Sequence, residues 1–182
     1  ANSGDRVQHH LDLIACGLPY GEALTKYLNI LLGGKAPKDI APYIGSAHLI
    51  PLLKPDVSIR PIAVGEVLRR LLSTFCAQSV TTMAKEHLGI CQLGIGTPNA
   101  IETILVGLNR LINDENIDPN TTLALIDFQN AFCEVKRQWF FDEVYRLFPQ
   151  ISPWVEYIYG CSALMFTEND ICYSHIGVQQ GD

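Results

Sequence analysis

The chain has 182 residues, of which 48% are hydrophobic and 18% charged, and its formal net charge is −6. This apolar content builds a real core and excludes wholesale disorder, and the length suits one domain or the larger part of a two-lobed one. The longest apolar runs, such as Ile30-Leu31-Leu32 and 123–126, are far too short to cross a bilayer, and no basic-then-apolar leader opens the sequence. An intracellular protein, nuclear or cytoplasmic, with no membrane segment is the expectation. Because the first residue is Ala1 and Asp182 falls inside a motif, the sequence reads as a segment of something longer.

In chain order, Val7, Leu11, Ile14 and Ala15 fall at helical spacing and Gly17 stops them. Leu24, Tyr27, Leu28 and Leu31 repeat the pattern up to Gly33-Gly34. After a proline-punctuated stretch come two apolar runs, 47–54 and 59–64, joined by Pro55-Asp56-Val57-Ser58, a hairpin by turn chemistry. Pro51 and Pro61 lie inside the runs and lack the N–H that a ladder needs, which predicts a hairpin at a sheet edge or projecting as a finger.

A long helix is predicted over 66–84, with Val67, Leu68, Leu71, Leu72, Phe75, Cys76, Val80 and Met83 as its apolar stripe and Arg69, Arg70, Gln78 and Thr82 opposite. Thr97-Pro98 predicts the cap and first turn of another helix, with Ile101, Ile104, Leu105, Leu108 and Leu111 on one face. A polar loop spans 113–120. The run 121–126 reads as a strand buried on both faces. Helices over 137–148 and 153–159 follow, then a second hairpin of 162–167 and 171–176.

Charge is segregated along the chain. Lys35, Lys38, Lys54, Arg60, Arg69 and Arg70 meet only Asp39, Asp56 and Glu66 between residues 35 and 70, whereas the acids concentrate after residue 100. The six cysteines are scattered with no C-x-x-C, which fits reduced thiols, and the adjacent His9 and His10 make a poor metal pair. Asp127 directly follows the predicted buried strand, at the carboxyl edge where chemistry is often placed, and a divalent metal is one way to balance such a carboxylate.

Four segments carry a resemblance. Ala124-Leu125-Ile126-Asp127-Phe128-Gln129-Asn130-Ala131-Phe132 resembles the first carboxylate motif of reverse transcriptases, those of non-LTR (LINE-like) retroelements above all. Leu49-Ile50-Pro51-Leu52-Leu53-Lys54 with Ile59-Arg60-Pro61-Ile62-Ala63-Val64 is similar to the fingers hairpin of that family. Gln92-Leu93-Gly94-Ile95-Gly96 with Glu102 is similar to the segment between fingers and palm, and Gly177-Val178-Gln179-Gln180-Gly181-Asp182 to the glutamine-glycine motif. All four occur in the family's order over residues 49–182.

The resemblance implies an α+β chain with the right-hand polymerase fold: fingers plus an incomplete palm, with an antiparallel sheet and packed helices. It divides the chain into a helical N-terminal part of the fingers (1–45), fingers with the hairpin and helices (46–120), and a partial palm (121–182). The implied activity is RNA-directed DNA polymerisation for a retrotransposon, with an RNA template, a DNA primer and dNTPs as partners. Two Mg2+ ions, ~3.5–4 Å apart in two-metal sites, would be held in the complete enzyme through Asp127 and the main-chain carbonyl of Phe128. Lys54 and Arg60 would clamp the triphosphate. Phe132 would lie under the sugar and reject a 2′-hydroxyl, and Gln180 and Gly181 would pack near the incoming base.

Within the 182 residues there is no aromatic-x-Asp-Asp hairpin, which supplies the remaining metal-binding carboxylates of the family. The chain by itself is therefore expected to be inactive. The competing readings are a catalytically dead relic or domesticated nucleic-acid-binding module with the same fold, and a template-dependent RNA polymerase, against which Phe132 speaks. The sequence assigns neither an oligomeric state nor a function to residues 1–45.

Overall fold

The N-terminal helices follow their glycine punctuation. In a computed structural model that describes residues 3–55 and 57–179, α1 is Val7–Ala15 and α2 is Leu18–Leu32. Gly17 between them has φ of 112°, a conformation that an L side chain resists, so one helix stops and the next starts within two residues. Pro19 sits in the first turn of α2, where its missing N–H costs nothing, so the helix begins earlier than its apolar repeat suggested. The proline-punctuated stretch forms a 3-10 turn, Lys38–Ile40, and a short helix α3, Ala41–Ile44.

Both predicted hairpins are present. Strands β1 (Ala47–Leu53) and β2 (Ile59–Gly65) are antiparallel, as are β3 (Ala163–Phe166) and β4 (Ile171–Ser174), and the open sheet has the order β2-β1-β3-β4. The two hairpins meet in parallel through only two pairs, Ala47 with Met165 and His48 with Phe166, so the sheet is mixed and not the antiparallel sheet expected. Beyond His48, β1 is paired with β2 alone. The prolines fit this arrangement. Lys54 N–H donates to Ser58 O at 2.8 Å, which makes that a hydrogen-bonded pair, and alternation then makes Leu52–Arg60 and Ile50–Ile62 hydrogen-bonded too. Pro51 and Pro61 face each other in the intervening non-bonded pair, where neither is asked for an N–H.

The remaining helices are α4 (Val67–Leu88), α5 (Ala100–Ile112), α6 (Ala131–Glu134), α7 (Arg137–Leu147) and α8 (Ser152–Tyr159). The core is centred on α8, which buries Trp154, Val155, Tyr157, Ile158 and Tyr159 against Leu31, Ala41, Leu72, Cys76 and Val144. Its polar atoms are satisfied as they enter: Trp154 Nε1 donates to Ser73 Oγ at 3.2 Å and the Tyr157 hydroxyl to Pro37 O at 3.0 Å. A smaller apolar cluster of Ala47, Ala163 and Met165, with Ala63 against it, lies on the sheet.

Three expectations are corrected. The buried face of α4 is Arg69, Leu72, Ser73, Cys76, Val80 and Ala84, whereas Leu71, Phe75 and Met83 are exposed. Two apolar stripes run along this helix, and the selection between them comes from a cation: Arg69, expected on the solvent face, is 1% exposed. Its Nη1 donates to the Gly45 carbonyl and its guanidinium lies 5.0 Å from the centre of the Tyr159 ring.

The helix expected from Thr97-Pro98 starts instead at Ala100. Thr97 Oγ1 donates to Ile95 O at 3.4 Å, and left-handed Asn99 (φ 53°) precedes the first turn. The apolar face of α5 is exposed, with Ile101, Ile104, Leu105 and Leu111 all open.

The run 121–126 forms no strand, and Leu125 and Ile126 are 87% and 81% exposed. A strand exists by its ladder, and no described residue pairs with this stretch, so its β-prone composition finds no partner.

Two compact units result, one drawn from Ala1–Ala77 and Asn130–Asp182, the other from Gln78–Gln129. The sheet and the α8 core belong to the first. The second holds the later turns of α4, α5 and the 113–129 chain, and within it Gly96 comes so near that a Cβ there would lie 3.2 Å from Thr81 Cγ2. Among the described residues no helix is long and apolar enough to cross a membrane.

Candidate functional site

The glutamine-glycine segment is pinned beside Phe132. Val178 N–H donates to Phe132 O at 2.8 Å and Gly177 N–H to Val135 O at 3.0 Å. Only glycine permits this approach. Gly177 has φ of 73°, and a Cβ on it would lie 2.5 Å from Cys133 O. Gln179 follows, buried, with its N–H on the Tyr159 hydroxyl at 2.9 Å and its Nε2 on Gly45 O at 3.0 Å. The Gly45 carbonyl thus accepts from both Arg69 and Gln179. Gln179 Oε1 is buried with no hydrogen-bond partner among the described residues, and the absent side chain of Gly65 leaves it room.

These residues border a cavity of about 450 Å³ whose wall includes Leu49, Pro61, Ala63, Phe132, Tyr159 and Gln179. Phe132 is 51% exposed, so it is no packed core residue. The cavity side of the hairpin carries Leu49, Pro61 and Ala63.

Lys54 and Arg60 belong to the other side. In the register Arg60 faces Leu52, and Lys54 faces Ser58 two residues along, so the two cations share one face of the hairpin as diagonal neighbours. Arg60 is exposed and Lys54 is half-buried near the turn. The structure therefore brings these two together, but not onto the face that borders the cavity with Phe132.

Asp127 and Phe128 lie in the irregular, exposed chain of the Gln78–Gln129 unit, Asp127 following no strand. Among the described residues no group of three His, Cys, Asp or Glu side chains is arranged to hold a metal. Gln180 and Gly181 lie outside the described residues.

The sequence reading missed Arg137. This half-buried guanidinium, at the first turn of α7, donates to the carbonyls of Tyr159, Cys161, Ser174, Ile176 and Gly177, and lies 5.3 Å from the centre of the Tyr159 ring. Burial pulls its pKa below the ordinary arginine value, and nearby Arg69 adds to that pull while Tyr159 opposes it. All its acceptors but Ser174 Oγ are main-chain carbonyls, which no residue type in the sequence announces.

Compared with protein-family models and with curated proteins, the chain matches none. The site comprises a half-exposed phenylalanine, hydrogen-bonded through its carbonyl to a glycine-bearing segment and bordering a cavity, with a two-cation hairpin in the same compact unit.

Proposed function

We propose that the chain is the fingers and partial palm of an RNA-directed DNA polymerase of non-LTR retroelement type, adding deoxynucleotides to a DNA primer on an RNA template. The observation that carries this reading is the bond from Val178 N–H to Phe132 O. The resemblance assigns these two stretches, far apart in the chain, to one nucleotide site, and a chance likeness gives no reason for them to touch. Lys54 and Arg60 share one face of the hairpin, as two cations for a triphosphate would, although it is the face opposite the one that borders the cavity.

Asp127 fits a magnesium ligand by donor chemistry. Magnesium keeps several waters and takes one or two carboxylates plus substrate phosphates, and Asp127 is an exposed carboxylate with Phe128 next to it in sequence. When bound, the ions supply activation of the primer oxygen and charge stabilisation at the phosphates. The chain's own residues do the rest. Lys54 and Arg60 neutralise triphosphate charge, Phe132 screens the sugar, and the glycine segment lets main chain come close to the ligand. With one of the family's carboxylates in these 182 residues, the chain alone is expected not to incorporate nucleotides.

The test is sugar discrimination in a polymerase that contains this segment and an aromatic-x-Asp-Asp hairpin. Phe132→Val should admit ribonucleotides, raising their incorporation relative to deoxynucleotides by about 10–100-fold, the range that one lost steric contact supports. Unchanged discrimination rejects the sugar-screening role.

A further inference from the structure

We propose that Arg137 is the positioning residue that holds the 174–178 segment against Phe132 and thereby sets how tightly the nucleotide sugar is screened; the second half of this rests on the polymerase reading above.

The guanidinium is fully committed. Nε donates to Gly177 O at 2.9 Å, Nη1 to Tyr159 O at 3.1 Å and Cys161 O at 2.9 Å, and Nη2 to Ser174 O at 3.1 Å, Ser174 Oγ at 3.0 Å and Ile176 O at 3.5 Å. A guanidinium has five N–H donors in a rigid planar fork, and six acceptors surround this one. An incoming phosphate would have to displace main-chain carbonyls, so Arg137 acts on the protein and not on an anion. The acceptors come from two places. Tyr159 and Cys161 are at the C-terminal end of α8, where helix carbonyls lack intrahelical partners and a cation is favoured. Ser174 ends β4, with Ile176 and Gly177 just beyond it.

One side chain therefore fixes the chain leaving β4 to the end of the best-buried helix. The same few residues then turn to Phe132: Gly177 N–H reaches Val135 O and Val178 N–H reaches Phe132 O. Arg137 follows Phe132 by five positions, so the fork and the phenylalanine are carried by one short stretch. Loosening the fork frees the 174–178 segment, and with it the Phe132 carbonyl. Lysine at this position keeps the charge but has three donors on a flexible stem and cannot reproduce the fork.

The experiment has two arms. Hydrogen exchange on the 182-residue chain should show the amides of Gly177 and Val178 exchanging about tenfold faster in Arg137→Met, less so in Arg137→Lys, with α1 and α2 unchanged. Should Arg137→Met not fold, Arg137→Lys alone, which keeps the charge but not the fork, should shift the same two amides in the same direction. In primer extension by a polymerase containing the segment, Arg137→Lys should raise KM for dNTP more than it lowers kcat and should weaken discrimination against ribonucleotides. Unchanged exchange at Gly177 and Val178 overturns the positioning role. Faster exchange with unchanged KM and discrimination overturns its consequence for the sugar. Absence of any primer extension by the unmutated polymerase overturns the polymerase reading instead, while the exchange arm still decides what Arg137 does.

Discussion

Helix α8 and the 121–126 stretch are both short and apolar, yet they have opposite fates. Trp154, Val155, Tyr157, Ile158 and Tyr159 are buried, whereas Leu123, Leu125 and Ile126 are exposed. A helix satisfies its own backbone and needs only surfaces to pack on, which α2, α3, α4 and α7 supply. A strand must find a neighbour for each N–H and C=O, and the four described strands pair only among themselves. Apolar composition predicts burial only where backbone bonding can be completed.

That contrast is sharpened by removing side chains on each side of it. Trp154→Ala empties the centre of the α8 core and strands Ser73 Oγ without its donor. Loss of about 3–5 kcal/mol is expected, read as a lowered midpoint in urea unfolding. A loss under about 1 kcal/mol would mean that α8 is not the core.

A smaller, pH-dependent effect should separate the thiols of the two units. Burial raises the Cys76 thiol to about 11, whereas Cys91 in the other unit is exposed. The folded state keeps a proton that the unfolded chain gives up near ~8.5, so this contribution to stability is complete below that pH and is lost as pH rises toward the folded value. Alkylation at pH 8 should modify Cys91 readily and Cys76 only through unfolding. Equal rates at the two thiols would contradict the burial. At the bottom of the scale, Leu125→Ala should change stability by no more than about 0.5 kcal/mol, since its side chain leaves little to lose. A loss comparable to that of Trp154→Ala would show the stretch to be packed after all.

Local chemistry made the two hairpins and helices α7 and α8 legible, because turn residues and apolar spacing are written within a few positions of each other. The face of α4 was not legible. Leu71, Phe75 and Met83 compete with Leu72, Cys76 and Val80 as a helical stripe, and the choice is made by Tyr159 and the Gly45 carbonyl, which meet Arg69 from far along the chain. In the candidate site, Phe132 and the Lys54–Arg60 pair were named only through the resemblance of their segments to a known family. Arg137 could not be named, because all its acceptors but Ser174 Oγ are carbonyl oxygens that every residue type carries. The opposite faces of Arg60 and Phe132 needed the hairpin register, which depends on a turn that the residues 55–58 leave open to more than one geometry.

The central claim is that Asp127 serves phosphoryl transfer from a deoxynucleoside triphosphate. Primer extension on an RNA template, with Mg2+ and a polymerase that contains this segment, tests it most directly when the unmutated protein is set beside Asp127→Ala. The account predicts template-directed extension by the first and a loss of at least about 10³-fold in the second, the scale of losing a metal-held transition-state contact. Extension by Asp127→Ala at the unmutated rate would contradict it.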